Sequence, residues 1–440
     1  MVAILAYSKI LNENEILSFV NRFIGIVSQK IFLSTDENLI DLGVTVYGIL
    51  VGLGGVSIAQ QIEEKVNYCI NSLYKPDKLD KKYAMLSMLV QLLKNAQFIT
   101  FNKIRRYSKY TELFRCIISE KKQNLKKKGL ELIDECIKET SKRGIQEQSN
   151  MLSRIYTDIF KDRQVKSIDS EVNYGIVVVL KSLLAYANKE VLKDRFKEIC
   201  EFINLMKNCK TFTNQQIVME MYPILSAYNP DMFLSNQFLD QGVTHLLKVL
   251  SSNQNMNIKS QSHESLSKIL DPYHADKIEK KAKVILDQLF AEFKSSGKQS
   301  EAQLLKCMAA VSEKVQRYFS KFFSEEQIHE LVNLLLISGI SEDVLAFLEF
   351  LLKINVPDLN TMIQIKLLYT ISYILTNTFY NFIIGNKISE NYRQQVEDFK
   401  PVLDKNLRGV IKEASNEKLI CVSLSCLSRF KFPDFTDQMV

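Results

Sequence analysis

An all-α solenoid of stacked helical hairpins is the fold that three observations predict. Breakers are scarce, with 14 Gly and 7 Pro in 440 residues, which leaves little room for the tight turns of an all-β protein. Apolar residues recur at helical spacing: Phe196, Ile199, Cys200, Ile203 and Met206 share one face of a 3.6-residue period, with Lys197, Glu198, Glu201 and Asn204 on the other. The helix that follows, with Ile217, Val218, Met219, Met221, Tyr222, Ile224 and Leu225, is apolar on too many sides for a surface position. A half-wet helix followed by a sandwiched one is the pattern of hairpins that need neighbours to bury their faces.

The pattern extends along the chain. Helices are predicted over residues 2–11, 15–33, 37–53, 57–73, 79–96, 98–119, 123–140, 144–160, 169–188 and 190–207, and then over 214–227, 236–251, 258–270, 275–295, 300–316, 325–337, 341–354, 358–383, 389–412 and 417–428. About twenty helices make about ten hairpins of roughly 40 to 47 residues, the period of HEAT and armadillo repeats. One continuous domain over 1–440 is expected. Ser34, Thr35 and Asp36, then Lys75, Pro76 and Asp77, then Ser167 and Asp169 supply acceptors or breaks before successive apolar runs. Asn229 and Pro230 are expected to stop one helix and Asp271 and Pro272 another, while Pro223 lies inside a helix and is expected to kink it. A helix that starts at Met1 without a capping residue points to a chain that begins in mid-repeat, which leaves a piece of a longer product open.

Composition is that of an ordinary globular protein, 46% hydrophobic and 24% charged. The net charge of +7 sets 57 basic residues against 50 acidic ones, which does not point to nucleic acid. Cys69, Cys116, Cys136, Cys200, Cys209, Cys307, Cys421 and Cys426 form no C-x-x-C pair and read as reduced core residues of an intracellular protein. The uncharged stretches Leu42–Ile62 and Leu367–Asn386 approach the length of a membrane span, but their Gly, Gln, Thr and Asn residues favour buried helices of repeats. No signal peptide is expected, because Met1–Leu11 lacks a basic leader.

Chemistry-bearing motifs are sparse. Gly52, Gly54 and Gly55 have no βαβ context and read as a turn, and no P-loop is present. His245, His263, His274 and His329 lack ligand spacing and are expected at surfaces or caps, so neither metal nor cofactor is expected. The most polarised stretch is basic: Lys121, Lys122, Lys126, Lys127 and Lys128, with Arg105, Arg106 and Lys109 upstream. These eight residues are the candidate interaction patch, and without interleaved aromatics they do not point to base stacking.

Around Pro223, with Leu225, Ala227, Tyr228, Pro230 and Phe233, and then Leu239, Val243, Leu246 and Val249, the chain resembles the N-terminal HEAT region of the TOR (target of rapamycin) protein kinases. Tyr174, Gly175 and Ile176 with Val179, Leu180, Leu183 and Leu184 resemble the helix before that family's mid-spiral insertion, which looks shortened here around Gln146–Asp169. Near the end, Leu424, Leu427, Phe430 and Phe432, with Phe435 and Val440, are similar to the same spiral in the same order.

The resemblance implies a cytoplasmic scaffold, peripheral on endomembranes through its partners, that helps a kinase dimerise and docks raptor- or rictor-type subunits and an activating small GTPase. It does not imply catalysis here, because the H-R-D and D-F-G motifs that phosphoryl transfer requires are missing. The competing expectation is an unrelated HEAT or armadillo adaptor, such as a transport receptor or an assembly factor.

Overall fold

The computed structural model describes residues 12–73, 75–96, 100, 102, 110–252, 255–295, 302–315, 408 and 412. The expected helices at 2–11 and beyond 316, the Leu367–Asn386 stretch and the Leu424–Val440 patch lie outside the described residues. Among the described residues there are helices and no strands, and the chain is an all-α solenoid of the HEAT/armadillo type. It divides into two compact units that meet at Asn229 and Pro230.

In the first unit, α1 (Glu13–Leu33) begins at a capping box in which Asn12 and Glu15 exchange bonds of 2.9 and 3.0 Å. Asp36 caps α2 (Glu37–Gly54) through the N–H groups of Asn38 and Leu39, as its place in the sequence predicts. Gly55, at φ +52, then turns the chain into a 3-10 segment, a backbone conformation that favours glycine. After it come α3 (Ala59–Ser72), α4 (Lys82–Asn95), α5 (Tyr110–Ile118), α6 (Gln123–Ser141), α7 (Ile145–Phe160) and α8 (Glu171–Tyr186). The short α9 (Lys189–Leu192), α10 (Phe196–Met206) and α11 (Phe212–Tyr228) complete the unit.

The second helices α2, α4, α6, α8 and α11 stack one on the next, and each packs against its own first helix, α1, α3, α5, α7 or α10. Position in this stack explains the burial pattern. α4 is covered from several directions and buries nine residues from Ala84 to Leu93. α10 keeps one dry face, with Lys197 and Glu201 outside.

Polar contacts measure the repeat length independently of the core. The Tyr83 hydroxyl donates to Asp41 across 42 residues, Tyr156 to Glu198 across 42, and Tyr228 to the Lys189 carbonyl across 39. The N–H of Asn188 donates to Gln148 across 40 residues and that of Lys210 to Asp169 across 41. Each bond joins consecutive hairpins at an offset of 39 to 42 residues, which is what the expected period requires.

In the second unit the short α12 (Pro230–Ser235) leads into α13 (Phe238–Ser252), which packs on α14 (Met256–Ile269), and α15 (Ala275–Ser295) packs on α16 (Ala302–Lys314), with α14 against α16. The offset recurs: the Tyr273 hydroxyl reaches the Pro230 carbonyl 43 residues away.

Four expectations need correction. Pro230 does not only follow a stop; it opens α12 at the first helical position, where its missing N–H would be unpaired in any case. The helix expected over 190–207 is broken by a 3-10 turn at Lys193–Arg195. Cys116 is exposed, because it sits beside the stripe of Leu113, Phe114, Ile117 and Ile118 that α5 buries. His263 is neither a surface nor a cap residue: it is fully buried on α14, with Nε2 3.1 Å from the Glu292 carboxylate of α15.

The remaining described cysteines lie in the core, where burial pushes the thiols of Cys69 and Cys209 up to about 12. Pro223 is carried inside the continuous helix α11. By length and composition, α1 and the helical run Glu37–Ser72 are apolar enough to cross a membrane, a test that the core helix of a soluble protein also passes. In this fold Val44, Tyr47, Leu50, Val51, Ile58 and Ile62 of the Leu42–Ile62 stretch are buried.

Candidate functional site

The basic run opens α6, and the helical period separates its members. Lys126 and Lys128 lie two positions apart, hence about 200° around the axis, and they leave the helix toward opposite neighbours. Lys128 points toward the preceding helices, with Nζ 3.3 Å from Asp41 of α2 and 5.6 Å from the Tyr83 ring centroid of α4. Lys126 points toward the following helix and is only 1% exposed. Its Nζ donates to the Glu171 carbonyl at 2.5 Å and lies 3.0 Å from the Glu171 carboxylate.

Burial holds the Lys126 ammonium below its ordinary range, and the hydrogen bond and charge of Glu171 oppose that shift. Two members of the expected patch are therefore struts between stacked helices. Lys121, Lys122 and Lys127 are exposed, while Arg105, Arg106 and Lys109 lie outside the described residues.

Lys126 and Lys127 also line a groove of about 600 Å³ between α6 and α8. Gln123 donates to the Glu171 carboxylate at 3.2 Å, so the two helices start side by side and run parallel. Tyr174 stands at the start of the groove, Leu130 and Val178 form an apolar floor, and Ala185 and Tyr186 stand at the far end. From Tyr174 to Tyr186 the wall covers about 18 Å at 1.5 Å per residue.

The acidic groups of the groove are already matched. Glu131 takes Lys94 at 2.7 Å and Lys128 at 3.5 Å, and Asp134 takes Lys138 at 2.6 Å. Lys138 also sits 5.3 Å from the Tyr186 ring centroid. Its own ammonium is held above its ordinary range, first by the hydrogen bond to Asp134 and against the cost of burial.

The spacing of the two walls is set by α5, which packs against both. A Cβ at Gly129 of α6 would lie 2.6 Å from Ile117 Cγ2, and one at Gly175 of α8 would lie 3.1 Å from Ile118 Cγ2 and 3.3 Å from the Ile118 carbonyl oxygen. At Gly129 an added Cβ forces something to shift, and at Gly175 it is tighter than ordinary contact, so both close approaches favour glycine.

Next to this helix pair, the loop before α8 is closed by the fully buried Asn173. Its amide donates to the carbonyls of Gln164, Ser167 and Ile168 and accepts from the Gln164 N–H. Ser170, rather than Ser167 or Asp169, caps α8. Asp169 instead accepts from the N–H groups of Lys210 and Thr211, and so braces the turn just before α11 one repeat later.

Sequence reasoning found the lysines but missed the other wall. Tyr174 and Val178 lie one repeat downstream of the basic run, and only the 45-residue offset of the contact from Lys126 to Glu171 brings them together. An exposed aromatic at a helix end, Tyr186, was the available signal. Among the described residues no group of three or more His, Cys, Asp and Glu side chains could hold a metal ion.

No family model matches the chain. Over 413 residues, 92% of the chain, it is 21% identical to the serine/threonine-protein kinase tor1 of Schizosaccharomyces pombe, and it spans 16% of that relative's length. Among solved structures, Kap121p aligns with 93% of this chain and 45% of its own at 11% identity and a TM-score of 0.45. Kap95p aligns with 89% of this chain and 56% of its own at 10% identity and a TM-score of 0.48. An engineered protein aligns over 96% of this chain and 100% of its own, at 13% identity and a TM-score of 0.41.

Proposed function

We propose that this chain is a non-catalytic protein-interaction scaffold, an arm of the kind that TOR-like kinases carry at their N-terminus, and that the groove between α6 and α8 is one of its docking surfaces. The observation that carries the docking surface is the groove itself: an apolar floor between parallel helices, with exposed lysines at one end and its carboxylates already paired. The TOR assignment is supported by the likeness to tor1, which follows 92% of the chain. On this reading the chain is cytoplasmic, binds a raptor- or rictor-like subunit or a small GTPase, and takes part in dimerisation of the larger assembly. Binding energy is spread over successive repeats, as in other helical arrays.

The adaptor reading uses the same fold and differs in its partner. Affinity purification of the full chain from its own cells, followed by mass spectrometry, separates the two. Recovery of TOR-complex subunits is expected. Recovery of transport cargo without any such subunit would replace the kinase-arm reading with the adaptor reading.

A further inference from the structure

Resting on the groove's role as a docking surface, we propose that its occupant is an extended segment of a partner protein, acidic at one end and apolar along the rest, laid with its acidic end at the start of α6. Length, floor and charge each contribute to this assignment. A wall of about 18 Å accommodates five or six extended residues at roughly 3.3 Å each. Leu130 and Val178 offer apolar contact along the floor, and Tyr174 and Tyr186 offer an aromatic edge at each end.

The charges are unevenly distributed along this length. Glu131 and Asp134 are neutralised within the protein by Lys94, Lys128 and Lys138. At the other end the exposed ammonium groups of Lys121, Lys122 and Lys127 form no ion pair with a carboxylate of a described residue, although the Glu120 carboxylate accepts from the backbone N–H groups of Lys121 and Lys122. Lys127 lines the groove, and Lys121 and Lys122 lie just before α6. The uncompensated charge of the groove is therefore positive and sits at one end. Helix stability does not account for Lys121 and Lys122, because cations at a helix start oppose the helix macrodipole. An incoming carboxylate there gains attraction without displacing an internal ion pair, and a basic segment meets repulsion.

The test uses the full chain, immobilised, and two pools of hexapeptides. One pool carries Asp or Glu at its first two positions and Leu, Ile, Phe or Met at the fourth and sixth; the other carries Lys or Arg in place of the acids. Retention of the acidic pool at least tenfold above the basic pool is expected, with the difference shrinking as salt rises. Two variants at exposed positions, Lys127→Glu and Ala185→Trp, attack opposite ends of the groove, and circular dichroism establishes that each is folded. Each is expected to remove most of the preference.

Equal retention of the two pools, no retention of either, or an acidic preference that survives both variants would overturn the proposal. So would displacement of the peptides by a single-stranded oligonucleotide or by anionic phospholipid vesicles that bind more tightly. If TOR-complex subunits still co-purify with the chain while the peptides fail, the scaffold reading stands and only this occupant is lost.

Discussion

Replacing Lys126 or Lys127 by Ala removes the same atoms from adjacent positions with unequal consequences. The Lys126 side chain is 1% exposed, so truncation withdraws three buried methylenes beyond Cβ, about 2.4 kcal/mol at about 0.8 per methylene. Its ammonium also loses the bonds to the Glu171 carbonyl and carboxylate, but their worth is offset by the removed cost of burying a charge. The net expectation for Lys126→Ala is roughly 2 to 3 kcal/mol, against about 0.5 kcal/mol or less for Lys127→Ala, whose side chain is in water.

A repeat array need not unfold in one step, so the assay is hydrogen exchange of peptides from α6 and α8, read by mass spectrometry on the full chain. A loss of about 2.4 kcal/mol accelerates exchange through local opening roughly fifty-fold, taking about 1.4 kcal/mol per factor of ten. Lys126→Met keeps the stem and discards the charge, and is expected to cost less than about 1 kcal/mol. If Met costs as much as Ala, the ammonium rather than the stem carries the stability and the reasoning is wrong. If Lys126→Ala matches Lys127→Ala, the lysine is not buried.

The remaining predictions test the surroundings of the groove and the second unit. Gly129→Ala and Gly175→Ala gain up to about 1 kcal/mol of helix propensity but overpack against Ile117 and Ile118, for a net loss of roughly 1 to 2 kcal/mol by thermal scanning. Gly25→Ala, with nothing within 4 Å of the added Cβ, is the control and is expected to stabilise by about 0.5 to 1 kcal/mol. Asp169→Ala removes the acceptor that holds the turn before α11 and is expected to cost about 1 kcal/mol near neutral pH. Partial burial pushes the Asp169 carboxyl up, but the N–H groups of Thr211 and Lys210 outweigh it and hold the carboxyl below the ordinary 3.8. Its contribution is therefore present above 3.8 and lost as pH falls through the lower folded value, so mutant and wild type should converge there in acid unfolding curves. Leu246→Asp puts an unpaired charge at a fully buried position of α13 and is expected to cost about 4 kcal/mol or more; a soluble variant of wild-type stability would exclude the packing described for that unit.

The parts of this fold written in short-range pattern were legible, and the parts written across repeats were not. The bounds of α15, 275–295, match expectation because an apolar stripe and the acidic first turn at Asp276 fix them locally. The break at Lys193–Arg195 has no such local mark, since the apolar spacing runs through it. Asp169 could be recognised as an acceptor at a turn, but not as the brace of a turn 41 residues on, because the sequence shows the acceptor without its partner. The basic run fared the same way. Five lysines read as one patch until the helix turned Lys126 and Lys128 toward different neighbours and left Lys121, Lys122 and Lys127 to face water.

The groove owes its width to residues that do not line it. Along it the walls touch through long side chains, Gln123 and Lys126 with Glu171 at one end and Lys138 with Tyr186 at the other. The glycine contacts lie closer to the backbone. Ile117 and Ile118, consecutive residues at the end of α5, meet Gly129 on one wall and Gly175 on the other, so a single rigid turn fixes both helices at once. A side chain at either glycine would move a wall before it touched any occupant. Peptide retention by Gly175→Ala should therefore fall even though residue 175 does not line the groove, and restoring space with Ile118→Val should recover part of it. Retention unchanged in Gly175→Ala would mean that the walls are positioned by their own contacts and that α5 only covers them.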